Sequence, residues 1–204
     1  MNTKGRIFLI AILLISFVAS QAQQTFKLIQ ESNSVIINGT SSMHDWKMKA
    51  SKMESIIEIE LNNSELKKIN KANFICHSKS IKGDSRIMND KTSDALKAEK
   101  YPEIKFVQVS LDNLKNSNGL FTGDITGDLS LAGKTKRIKV PFKGKILNNK
   151  TLSIETTVNV DMKEYGIDPP TAMFGALKTG KDVKIEFRLK YIDSGGLGLN
   201  EKKQ

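Results

Sequence analysis

The sequence predicts an all-β fold of about eight mostly antiparallel strands with one short helical insertion. Three observations predict it. Apolar and polar residues alternate through most of the 204-residue chain, which is the two-residue period of a half-buried strand. Clusters of glycine, asparagine and proline separate the alternating segments and supply turns. The interval 84–100 lacks β-branched alternation and offers helix N-caps at Asp84 and Ser93.

Residues 120–144 show the pattern most clearly. Ile125, Leu129 and Leu131 alternate with Thr126, Asp128 and Ser130, and Ile138, Val140 and Phe142 alternate with Arg137, Lys139, Pro141 and Lys143. A Gly133-Lys134 turn, using glycine's free access to positive φ, makes the two strands a long hairpin. Pro141 has no N–H for a ladder, so its strand needs an edge or a bulge there.

From the N-terminus, Phe26 and Leu28 mark a short strand and residues 35–38 a second. Trp46, Met48 and Ala50 alternate with lysines after the stretch Gly-Thr-Ser-Ser-Met-His-Asp-Trp at 39–46. Ile57, Ile59 and Leu61 share one face of the next strand, opposite Glu58 and Glu60, and Phe74 and Cys76 lie on the one after. Ile87, Met88, Ala95 and Leu96 form the apolar stripe of one or two short helices that end at Tyr101-Pro102. The strand that begins at Ile104 changes face between Phe106 and Val107, predicting a bulge. Residues 113–119 and 148–150 read as turns around the hairpin. Leu152, Ile154, Val158, Val160 and Met162 follow, then a loop with Gly166, Pro169 and Pro170, and a last strand from Val183 to Tyr191. A barrel and a sandwich both satisfy this periodicity. The length of the strands favours an elongated structure, and an eight-stranded barrel leaves room for its own side chains or one slender ligand.

Lys4 and Arg6 precede an apolar run at 7–19, and Ser20-Gln21-Ala22 offers small residues for signal peptidase. Residues 1–22 therefore read as a secretory signal peptide, since the run is shorter than the roughly 18 residues of a membrane span. One domain over 23–193 and a flexible tail over 194–204 complete the expected organisation. The protein is expected in the periplasm or outside the cell, and not spanning the membrane once the signal is removed. Loss of Lys4 and Arg6 with the signal lowers the formal charge from +10 to +8. Lysines such as Lys139, Lys143, Lys145, Lys184 and Lys190 are dispersed over outward strand positions, so they solubilise a sheet and predict no nucleic-acid partner. Cys76 stands alone and forms no internal disulfide; it reads as a small buried apolar group.

No catalytic constellation emerges. His44 and Asp45 are adjacent, so on a strand they point to opposite faces. His77 has no ligand partner at metal-binding spacing, and Ser41 and Ser42 lack a nucleophile-elbow sequence. The expectation is no enzyme, no metal and no covalent cofactor. Trp46 suits a core plug or the mouth of a ligand channel equally. Met173 and Phe174, in a proline- and glycine-flanked loop, suit a lid over an apolar lumen or packing against the barrel's end, with the lid preferred.

Three motifs in this order resemble the YceI-like family of bacterial exported proteins: Ser-Ile-Lys-Gly-Asp at 80–84, Leu-Lys-Ala-Glu-Lys-Tyr-Pro-Glu-Ile-Lys-Phe at 96–106, and Leu-Phe-Thr-Gly-Asp-Ile-Thr-Gly-Asp-Leu-Ser-Leu-Ala-Gly-Lys-Thr-Lys-Arg-Ile-Lys-Val-Pro-Phe at 120–142. The resemblance runs from Phe26 to Tyr191. It implies a lipocalin-like antiparallel β-barrel whose apolar lumen holds a polyisoprenoid or related lipid. The stretch Met43-His44-Asp45-Trp46 departs from the family's commoner pattern, and the loop 168–181 looks like a subgroup feature.

The resulting expectation is an exported lipid-binding protein that sequesters or carries a polyisoprenoid or quinone-like chain. The basic balance favours a phosphorylated head group. The ligand-binding candidates, in the lumen or at its mouth, are Trp46, Phe74, Phe106, Leu129, Phe142, Val158, Met173, Phe174 and Phe187. The alternative is a barrel filled by its own side chains, acting as an interaction module for another cell-envelope protein.

Overall fold

The computed structural model describes residues 23–62, 65–148 and 150–195. The expected signal peptide at 1–22 and residues 196–204 of the expected tail lie outside the described residues. In chain order the strands are β1 (Gln23–Leu28), β2 (Ser34–Ser41), β3 (Trp46–Ala50), β4 (Met53–Asn62), β5 (Glu65–His77) and β6 (Ile81–Lys82). Helix α1 (Arg86–Ala95) follows, then β7 (Glu103–Ser117), β8 (Leu120–Leu131), β9 (Lys134–Asn148), β10 (Thr151–Asp161), β11 (Thr171–Ala172) and β12 (Leu177–Asp193).

Eight of these strands form a closed antiparallel ring in the order β1, β4, β5, β7, β8, β9, β10, β12. The ring closes where Phe26 and Leu28 of β1 lie opposite Asp193 and Tyr191 of β12. Closure makes the fold a barrel and excludes the sandwich. Because β1 is short, β12 turns to a second partner further along, with Val183 opposite Gly39 and Arg188 opposite Ser34 of β2. From β2 the wall continues through β3 to β6.

Alternation decides what the wall encloses. One end is filled by Phe26, Ile59, Leu66 and Leu152, among the most deeply buried side chains, together with Phe121. Phe121 lies over Gly144, where any Cβ would come within 2.3 Å of its ring. The other end is packed by Met48, Met162, Tyr165 and Ile167, all buried.

Several local details differ from the sequence reading. The hairpin turn is Ala132-Gly133, both at positive φ, with Leu131 paired to Lys134. It falls one residue earlier than Gly133-Lys134 because a two-residue loop with both residues left-handed matches the twist of the strands. The ring of Tyr101 packs on Gly133 at a distance no side chain would allow. The predicted bulge lies further along β7, at Val109 between the pairs formed by Gln108 and Ser110. Val107 and Val109 both stay on the outside, about half exposed, so no change of face occurs at Phe106. Strand β7 also runs through most of the expected turn cluster to Ser117, leaving Asn118-Gly119 as the positive-φ turn.

Helix α1 is a single helix starting after Ser85, and Asn89 pins it by accepting from the Gly83 N–H at 2.7 Å. It ends in a Schellman motif, with Lys97 N–H donating to Asp94 and Ala98 N–H to Ser93. Lys97 takes the left-handed position that glycine usually fills. Met88, Ala95 and Leu96 pack against the core, but Ile87 is 68% exposed and does not belong to the stripe.

Candidate ligand-binding site

Between the two packed ends lies a cavity of about 190 Å³. Inward side chains of β2 to β10 and β12 line it; β1 contributes none. Aliphatic side chains dominate, among them Ile37, Ile57, Ile104, Ile125, Leu131, Ile138, Val160 and Ile185. No lining residue carries a charge. An aromatic cluster crosses the space: Phe74 and Phe187 meet edge to face with ring centroids 5.5 Å apart. Phe106 lies over Gly127, where a Cβ would come within 2.3 Å of its ring. Small residues opposite large ones set the width of the lumen here.

The polar atoms in the lining satisfy one another. Tyr191 donates to Ser55 Oγ at 3.0 Å, and Ser55 donates to the Asn73 carbonyl at 2.7 Å. Burial raises the Tyr191 hydroxyl far above its ordinary pKa, so it stays a neutral donor in that chain. Cys76 also lines the cavity, and burial pushes its thiol up from 9.0 to about 11. At neutral pH it is a protonated, poorly nucleophilic group. Such a surface offers dispersion and water exclusion, and nothing that would orient or ionise a substrate.

Of the residues singled out from sequence, Phe74, Phe106, Leu129, Phe142, Val158 and Phe187 come together around this cavity. Trp46 does not. Its ring lies flat against Gly39, its indole N–H donates to the Thr40 carbonyl at 2.9 Å, and it borders a separate surface groove with Asp45 and Lys47. Phe174 points into solvent, fully exposed, from a left-handed backbone position at φ 53°. It is not among the residues that line the cavity. The side chain of Met173 lies outside the described residues. Sequence reasoning missed the aliphatic half of the lining, such as Val35, Ile37, Ile81 and Ile185. Their alternation with polar neighbours was the available signal, but only the closure of the ring says which face is inside.

The polar loop of 41–45 is occupied with backbone contacts. Ser41 donates to the His44 carbonyl at 2.7 Å, and Ser42 Oγ accepts from the Lys178 N–H at 3.1 Å. His77 faces Glu54 at 3.4 Å on the exterior. Among the described residues no three His, Cys, Asp or Glu side chains gather as a metal site, and no helix is long and apolar enough to cross a membrane.

Comparison with known proteins agrees with this geometry. A family model described as YceI-like domain matches residues 26–191. A UPF0312 protein of Pseudomonas putida (strain W619) is 32% identical over 100 residues, 47% of this chain and 49% of that one. The chain thus spans about half the length of that relative. Among solved structures, BcnA of Burkholderia cenocepacia superimposes with a TM-score of 0.65 at 15% identity, covering 80% of this chain and 98% of that one. A polyisoprenoid binding domain from Saccharophagus degradans, implicated in plant cell wall breakdown, gives a TM-score of 0.64 at 10% identity over 83% and 99%. At these identities the two structures establish a shared fold.

Proposed function

The chain belongs to the YceI-like domain family, and from that premise we propose that it is an exported lipid-binding protein that sequesters or carries a polyisoprenoid or quinone-like chain. The observation that carries this reading is the uncharged cavity enclosed by the barrel. The polyisoprenoid-binding neighbour of the same fold supports the choice of ligand class.

Size constrains how such a ligand is held. A cavity of about 150 Å³ accepts a six-carbon ring, so about 190 Å³ has room for an isoprene unit or a little more. The lumen therefore grips one stretch of the chain and widens, by turning side chains such as Phe74 and Phe187, to take more. Each buried CH₂ contributes about 0.8 kcal/mol, and the gain accumulates only while added carbons leave water. Binding requires no chemistry on the ligand, so the role is transport or storage.

Displacement of a fluorescent fatty acid by prenols of one to six isoprene units tests the reading. Affinity is expected to rise by up to about a thousandfold per added unit while its carbons leave water, then to level off once the lumen is full. No displacement at any length, or affinities that follow solubility without levelling, would contradict it.

A further inference from the structure

The barrel wall has a seam. β9 and β10 pair from Asn148 and Thr151 as far as Phe142 and Thr156, and there the ladder stops. Both strands continue, β9 back to Lys134 and β10 on to Asp161, each still paired to its other neighbour. Pro141, the first residue of β9 past the last pair, has no N–H to offer. In place of a ladder bond, Thr156 Oγ1 donates to the Pro141 carbonyl at 2.7 Å. Beyond that tie the facing backbone groups of the two strands have no cross-strand ladder partner. Segments held by few backbone bonds open at lower free energy than the rest of a fold.

The seam lies where a ligand would have to pass. Both ends of the barrel are packed by buried side chains, and the far part of the seam is tied by the turn Met162–Tyr165, whose Glu164 accepts from Lys136 at 2.8 Å. Between that turn and the Thr156 tie, Val140 and Val158 of the cavity lining stand behind the unpaired strands. A groove on the outer face runs alongside, lined by Pro141, Lys143, Glu155, Thr157, Glu186 and Arg188 among others. Phe142, Thr156 and Phe187 line the groove and the cavity alike. These three residues thus stand between outside and lumen.

We propose that the seam between β9 and β10 is a lateral portal through which the apolar chain of a single-chain amphiphile enters the lumen, leaving its polar head in the outer groove. This rests on the lipid-binding reading above. The groove also constrains the head. Lys115, Lys143 and Arg188 line it together with Asp124, Glu155 and Glu186. Lys143 pairs with Glu155 at 2.9 Å, and Asp124 and Glu186 pair with Lys139 and Lys184 just outside it. Balanced charge of this kind suits a neutral or zwitterionic head, in place of the phosphorylated one that the net charge alone suggested.

A cross-link over the seam tests the portal. Continuing the register of Thr156 and Phe142 sets Pro141 opposite Thr157, both exposed and outside the cavity lining. The double variant Pro141→Cys, Thr157→Cys introduces the only readily reactive thiols, since Cys76 is buried. Intact mass confirms the disulfide, or a bismaleimidoethane bridge where the strands stand too far apart for one. Lys139→Cys with Asn159→Cys, the next outward pair, repeats the test should the first variant not fold. Uptake of methyl cis-parinarate, a fluorescent single-chain amphiphile with a neutral head, is followed by stopped-flow fluorescence with the bridge open and closed. The expected result is entry and release at least tenfold slower when bridged, with full recovery on reduction for the disulfide; for the Lys139 and Asn159 pair, which lines neither the cavity nor the groove, the amount bound at equilibrium stays unchanged. Equal rates in the bridged and open protein would overturn the portal and leave the lumen as the binding site. No uptake by the open protein would overturn the lipid-binding reading and the portal with it.

Discussion

Replacing Ala72 with tryptophan is expected to cut affinity for a prenyl chain by about a thousandfold. Ala72 is half-buried on β5, opposite Ile57 of β4, and its methyl group faces the cavity. An indole there would occupy much of the roughly 190 Å³ now available. Excluding a single five-carbon unit forfeits about 4 kcal/mol of burial at about 0.8 kcal/mol per CH₂, and each 1.4 kcal/mol is a factor of about ten in affinity. Crowding in the lining typically costs about 1–3 kcal/mol of stability, and circular dichroism establishes that the variant is folded before its affinity is measured. Ala72→Leu gives a graded version, with a smaller loss of affinity and less strain. Titration of both variants with the same prenol settles the matter. Affinity unchanged in a folded Trp variant would mean that the chain binds elsewhere.

Phe26→Ala is expected to destabilise the protein by about 3–5 kcal/mol, the usual cost of truncating a fully buried phenylalanine. Phe26 has no exposed surface. It also sits on β1, whose three pairs with β12 close the ring, so its loss weakens the packed end and the closure together. For a chain of this size the melting temperature should fall by about 10 °C or more. Thermal unfolding followed by circular dichroism reads the shift directly. A change of only a degree or two would show that the closure by β1 contributes little to stability.

Much of the architecture was legible because a half-buried wall imposes a two-residue period on nearly every strand. The alternation in 120–144 located β8 and β9 and set Leu129, Val140 and Phe142 on their apolar faces, which closure of the ring turns inward. Features made by contacts distant in sequence were not legible. The turn at Ala132-Gly133 depends on the register between Leu131 and Lys134, and Tyr101 packs against it from another part of the chain. Trp46 suited plug and mouth equally, and its contact with Gly39 on the neighbouring strand sets it at a surface groove, partly buried against the core and away from the cavity lining. Phe174 looked like a lid because large apolar side chains in loops usually cover something, yet its left-handed backbone turns it to solvent. Pro141 signalled an interrupted ladder correctly. That the interruption runs on as a seam between β9 and β10 follows only from the pairing.

The central claim is that the lumen of this barrel holds an apolar chain, and the contents of the purified protein test it most directly. The protein is to be isolated from its native host without detergent and its organic extract analysed by mass spectrometry. The account predicts a stoichiometric isoprenoid or quinone-like lipid, one molecule per barrel, that is depleted in the Ala72→Trp variant. An extract that stays empty, even after incubation with polyprenyl lipids, would contradict it and leave the barrel as an interaction module filled by its own side chains.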